Sequence, residues 1–142
     1  MDEQQGPLGP IELAATSLYV ADLDRAVAWY QEKFGLQPAM VGSDGHGYAS
    51  FMMGSAIVVL EPIEAALEPV EGNGNATVNV VVRRDPTEVR DELMRGGVPC
   101  GPLVDSPNFV SFLVRDRDGN RFYVTRPRSE SARDAVRDAS SG

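Results

Sequence analysis

The chain of 142 residues holds one histidine, one cysteine and one tryptophan. With Cys100 alone, no internal disulfide can form, so a reducing compartment is allowed. With His46 alone, a metal site built on two imidazoles cannot be assembled within one chain. Basic residues are also short: 13 Lys and Arg against 21 Asp and Glu give a formal charge of −8, and the pI is about 4.6. That balance repels a nucleic-acid backbone or an anionic membrane, and keeps a chain dispersed in water. No segment approaches the ~20 apolar residues of a membrane-spanning helix. The opening MDEQQGPLGP has neither the basic residue nor the apolar run of a signal peptide. The expectation is a cytoplasmic protein with no nucleic-acid or membrane partner.

The length suits a single domain with its own core. Residues 1–12 are polar and rich in Gly and Pro, which predicts an extended arm, and residues 128–142 carry too little apolar content to fold alone. Leu13 to Ala21 reads as a strand with Leu18 and Val20 on one face and Ser17 and Tyr19 on the other. Asp22 or Asp24 can cap the next helix, whose Leu23, Ala26, Val27, Tyr30 and Phe34 recur at three- and four-residue steps before Gly35 stops it. Three strand-like runs follow: Gln37 to Val41, Tyr48 to Met53 and Ala56 to Glu61. The second half repeats this order, with a strand from Ala76 to Arg83, a helix from Pro86 to Arg95 and three more strands. YASFMMG at Tyr48 aligns with FVSFLVR at Phe109, and AIVVLEP, ending at Pro62, with RFYVTRP, ending at Pro127. The predicted fold is α+β, two βαβββ modules over 13–62 and 76–127 joined by a linker over 63–75. Exposed strand edges in each module need a second module or a second subunit to cover them, and a homodimer is the expectation.

The stretch V-x-D-L-x-R-A-x-x-W-Y from Val20 to Tyr30, the F-G-L at Phe34 and D-x-D-G-N-R-F-Y at Asp116, together with the internal repeat, resemble the vicinal oxygen chelate superfamily. That superfamily includes glyoxalase I, extradiol dioxygenases, fosfomycin-resistance proteins and bleomycin-binding proteins. The resemblance implies strands curled into half-barrel cups and, in the enzymes, a divalent metal held by His or Gln on the first strand and Glu on the last strand of each module. Carried onto this chain, those positions fall at Ala15, Val58, Thr77 and Tyr123, none of them a ligand of the required type. The expectation is therefore no metal, no cofactor and no catalytic residue, closest in character to the metal-free bleomycin-resistance-like branch.

Taking those positions to mark the inward face, the ligand-binding set is Ser17, Tyr19, Val58, Leu60, Thr77, Asn79, Tyr123 and Thr125, with Tyr48 and Phe109, in equivalent places before the two Ser-Phe pairs, as its rim. Their outward neighbours Ile57, Val59, Val78, Val80, Phe122 and Val124 are expected to pack beneath the helices. An apolar cup with two tyrosines, hydroxyls and an amide suits a small organic ligand, aromatic or cationic, and points to a metal-independent binding protein, with drug sequestration as its role. The alternative is a glyoxalase-like lyase, isomerase or dioxygenase with a rearranged site.

Other signals have plainer readings. Trp29 on the first helix suits packing or a subunit contact, and the Asp116 motif lacks the spacing of a calcium loop and reads as a turn. GSDGHG at Gly42 is a hairpin loop, not a dinucleotide fingerprint, and Cys100 with His46 lacks a third group to orient a nucleophilic pair.

Overall fold

The computed structural model describes residues 6–7, 9–10, 14–43, 45–66 and 77–129. Most of the predicted arm, linker and tail lies outside that range. The first module runs β1 (Ala15–Val20), α1 (Leu23–Lys33), β2 (Met40–Gly42), β3 (Tyr48–Met53) and β4 (Ala56–Pro62), then a 3-10 turn at Ile63–Ala65. The second runs β5 (Thr77–Val81), α2 (Pro86–Arg95), β6 (Val104–Asp105), β7 (Phe109–Arg115) and β8 (Arg121–Pro127).

Asp22 caps α1, its carboxylate accepting from the Arg25 amide at 3.1 Å, and Asp85 caps α2 by accepting from the Thr87 amide at 2.9 Å. Pro86 fills the first turn of α2, where its missing N–H costs nothing. After α1, Gly35 takes a φ of 68°, which a side chain would resist. The second strand begins three residues later than predicted, at Met40 rather than Gln37, because Pro38 has no amide to donate to a ladder. The β6 run is two residues long.

The sheets have the same order, β1-β4-β3-β2 and β5-β8-β7-β6, with the first pair parallel and the others antiparallel. This is the predicted α+β arrangement of two four-stranded mixed sheets and two helices, although the sheets do not close into a barrel. Leu18 and Val20 of β1, Val58 and Leu60 of β4, Ala49 and Phe51 of β3, Phe112 and Val114 of β7 and Phe122 and Val124 of β8 all turn to the helix side and are buried. They form one core with Ala26 and Tyr30 of α1.

That core crosses between the modules. Tyr30 stacks on Phe51 of its own sheet at 5.4 Å and meets Phe122 of the other sheet edge-on at 6.1 Å, while Phe34 meets Phe122 at 5.3 Å. Trp29 packs edge-on against Tyr30 and Phe34, so it is a packing residue.

A polar latch sits beside the rings. Asp116, 5% exposed, accepts from the Tyr30 hydroxyl at 2.6 Å, the Asn120 side-chain amide at 2.9 Å, and the backbone amides of Asp118 at 2.9 Å and Asn120 at 2.8 Å. Asn120 also donates to the Tyr19 carbonyl at 3.2 Å, and Asp118 accepts from the Ala21 amide at 2.9 Å. The D-x-D-G-N stretch is thus a turn, as read from sequence, but one whose side chains tie the second module to the end of β1 and to α1.

Burial and the neighbouring Asp116 carboxylate push the Tyr30 phenol well above its ordinary value. A tyrosine whose folded pKa is raised contributes its full stability below the unfolded pKa of about 10, and loses it as pH climbs above that value. The urea midpoint is therefore expected to fall as pH rises above about 10, and to fall less steeply in Tyr30→Phe. Equal slopes for the two proteins would contradict this.

Candidate functional site

Each sheet buries one face and leaves the other open, and strand register fixes which residues share the open side. In the first sheet, Ala15 pairs with Ile57, Ser17 with Val59 and Tyr19 with Glu61. Ser50 pairs with Val59, Met52 with Ile57 and Met40 with Ser50. Alternation places Tyr48 on the same side as Ser50. In the second sheet, Thr77 pairs with Arg121, Asn79 with Tyr123 and Val81 with Thr125. Ser111 and Leu113 of β7 lie opposite Thr125 and Tyr123, and Phe109 lies opposite Pro127.

Eight of the ten predicted ligand residues therefore stand on the open faces: Ser17, Tyr19, Tyr48, Thr77, Asn79, Phe109, Tyr123 and Thr125. The other two are corrections. Val58 is 1% exposed and Leu60 fully buried, both on the helix side against Phe51 and Ala49. The expectation that Ile57 and Val59 pack beneath the helix fails for the same reason. β4 presents Ile57, Val59 and Glu61 to the open face, so the β4 position beside Ser17 is Val59, again not a ligand.

Sequence reasoning also passed over Ser50, Met52, Ser111, Leu113 and Arg121 on these faces, and gave Glu61 no place on one. Alternation from Tyr48 and Phe109 along their strands would have found the four on β3 and β7. The two charges are placed unequally, with the half-buried Glu61 beside the half-buried Tyr19 in one sheet and Arg121 beside Thr77 in the other.

Local structure sets Tyr48. Its ring lies over Gly42, where a Cβ would overlap it, and its hydroxyl donates to the Met40 sulfur at 3.4 Å. Tyr123 is 40% exposed at the middle of its strand, and four other large apolar side chains on the open faces are exposed with it: Met40, Met52, Val81 and Val104. A sheet centre that shows aromatic and apolar surface to water marks a place for a ligand or another protein surface. His46 is exposed in a turn after β2. The Cys100 thiol donates to the Val98 carbonyl at 3.5 Å, and burial raises its pKa, which makes it a poor nucleophile.

The donor set does not fit a divalent metal. Among the described residues, no three His, Cys, Asp or Glu come together as a metal group, and Ala15, Val59, Thr77 and Tyr123 supply neither imidazole nor carboxylate. Among the described residues no helix is long and apolar enough to cross a membrane. A half-open cleft of about 590 Å³ lies mainly on the helix side of the second sheet; it takes in Asn79 from the predicted set but none of the other nine, and reaches the open-face residues Met52 and Val81.

The sequence profile of the Glyoxalase/Bleomycin resistance protein/Dioxygenase superfamily matches residues 12–124. No curated protein matches the chain significantly. Among solved structures, TioX from Micromonospora sp. ML1 is similar at 26% identity, over 81% of this chain and 98% of its own, with a TM-score of 0.66. A superfamily member from Sphaerobacter thermophilus DSM 20745 superposes at a TM-score of 0.68 with 18% identity, covering 82% of this chain and 97% of its own. The lactoylglutathione lyase of Agrobacterium tumefaciens does so at 0.64 with 23% identity, covering 82% and 94%. The matched profile takes in every strand but the last residues of β8, and both helices, so this chain belongs to the Glyoxalase/Bleomycin resistance protein/Dioxygenase superfamily.

Proposed function

We propose that this protein binds a small organic molecule on the open faces of its sheets without a metal, and that its role is sequestration of such a compound, a drug among the candidates. The observation that carries this reading is the exposed set Tyr123, Met40, Met52, Val81 and Val104 on faces that also hold Tyr19, Tyr48 and Glu61. Aromatic rings offer stacking surface and a carboxylate beside them favours a cationic or amphipathic compound, in keeping with the net charge of −8. Sequestration needs no bond to be broken, so the absent donor set is no obstacle. A homodimer fits the same faces, since a second copy would cover apolar surface that one chain leaves in water.

A thermal-shift screen of cationic aromatic antibiotics and metabolites tests this, because a ligand bound to the folded chain raises its melting temperature by mass action. Against any hit, Tyr19→Ala and Tyr123→Ala are each expected to weaken binding about fivefold, the worth of one lost aromatic contact of roughly 1 kcal/mol, with circular dichroism unchanged. Unaltered affinity in both variants would remove the open faces as the site. Stoichiometric Zn, Ni, Mn or Fe in the purified protein would instead favour a lyase, isomerase or dioxygenase.

A further inference from the structure

The two modules fill their helix sides unequally. Counting from the N-caps Asp22 and Asp85, α1 and the residue that ends it set Ala26, Tyr30 and Phe34 against a sheet, whereas the same steps from α2 bring Val89, Leu93 and Gly97. A phenol and a phenyl ring are matched by an isobutyl group and a hydrogen. The consequence is visible in β5: Leu18 and Val20 of the first sheet are buried, but Val78 and Val80 of the second are half-buried. The cleft of about 590 Å³ is the space that α2 leaves, walled by Val78, Val80, Val89, Leu93, Phe34 and Met53. That volume is in the range of small-molecule sites, roughly 300–1,000 Å³.

The cleft also inverts the charge of the chain. Among the described residues its charged lining is Lys33 and Arg83, with no carboxylate, although the chain as a whole is at −8. Lys33 is partly engaged, donating to the Gly96 carbonyl and pairing with the exposed Glu32 at 3.5 Å. Arg83 is exposed, and its neighbour Arg84 is paired with Glu92 at 3.3 Å. Apolar walls with cations as the charged lining among the described residues select for one kind of molecule.

We infer that this cleft is a second binding site, sharing Met52, Asn79 and Val81 with the open sheet faces but centred on the helix side, for an organic carboxylate with an alkyl or aryl body. The body replaces the packing that Tyr30 and Phe34 supply in the first module, and the carboxylate meets Lys33 and Arg83. Tyr123, in the middle of its open face, does not line the cleft, so the two sites can be told apart.

Titration calorimetry of the full chain with dodecanoate, below its micelle concentration, tests it, with dodecyltrimethylammonium as the same tail under the opposite charge. Saturable binding of one dodecanoate per chain is expected, with the cation binding at least about tenfold more weakly. Lys33→Gln combined with Arg83→Gln is expected to weaken dodecanoate about tenfold, and added salt to weaken it in the parent protein. Val80→Phe and Leu93→Trp, which fill the cleft, are expected to abolish binding; either one that keeps the parent circular dichroism spectrum suffices. Tyr123→Ala, on the open face, is expected to leave it unchanged. No saturable binding, equal affinity for the two head groups, no effect of the charge variants, or loss of binding in Tyr123→Ala would each overturn the proposal.

Discussion

Asp116→Ala is expected to destabilise the protein by about 3–5 kcal/mol in urea unfolding, because one small side chain closes four hydrogen bonds in a buried place. Removing it strands the Tyr30 hydroxyl, at 2.6 Å from the carboxylate, and one N–H of the Asn120 side-chain amide, at 2.9 Å, which keeps its other bond to the Tyr19 carbonyl. Each buried donor left without an acceptor costs about 1–3 kcal/mol, and the turn over Asp116 to Asn120 loses the acceptor that shapes it. Tyr30→Phe should cost less, about 1–2 kcal/mol, since the carboxylate keeps its other three donors. A double-mutant cycle between the two sites should then show strong coupling. A cost below about 1 kcal/mol for Asp116→Ala would mean that water takes over the acceptor role and that the latch contributes little.

The latch shows where sequence reading stops. D-x-D-G-N announces a turn through Gly119, whose φ is 84°, and the repeat announces two similar modules. Nothing local says that Asp116 will face Tyr30, 86 residues away in the chain. The helices were legible to the residue at Pro86 and Arg95, because caps and stops are local. The face of β4 was not. AIVVLEP is apolar at five successive positions, so it has no alternation to fix its phase, and matching its final proline with Pro127 set Val58 beside Tyr123. Register with β1 puts Val59 there instead, opposite Ser17. A one-residue slip turns every side chain of a strand to the other side, which is how Val58 and Leu60 entered the candidate site and Val59 and Glu61 were left out. RFYVTRP carried no such ambiguity: Phe122 and Val124 alternate with Tyr123 and Thr125, and all four lie on the faces read from sequence. The cleft beside α2 was also within reach of a count from Asp85, had the two helices been compared for volume as well as for period.

Phe122→Ala should cost about 3–5 kcal/mol, near the upper end for a core phenylalanine, because its neighbours cannot close over the gap. Tyr30 is held from behind by Phe51 and by Asp116, and Phe34 borders the cleft, so the space left by the ring would open into the half-open cleft of about 590 Å³. The same geometry governs how the chain unfolds. Phe122 belongs to the second module, but the rings it touches, at 6.1 and 5.3 Å, belong to the first, so neither sheet has a separate core. Parent protein should therefore unfold in one transition, with near-ultraviolet and far-ultraviolet circular dichroism coincident in urea. In Phe122→Ala the midpoint should fall and the two signals should begin to separate, since the mutation removes the contact through which one module stabilises the other. Two transitions in the parent protein would show that the modules fold independently and that the shared rings are packing without coupling.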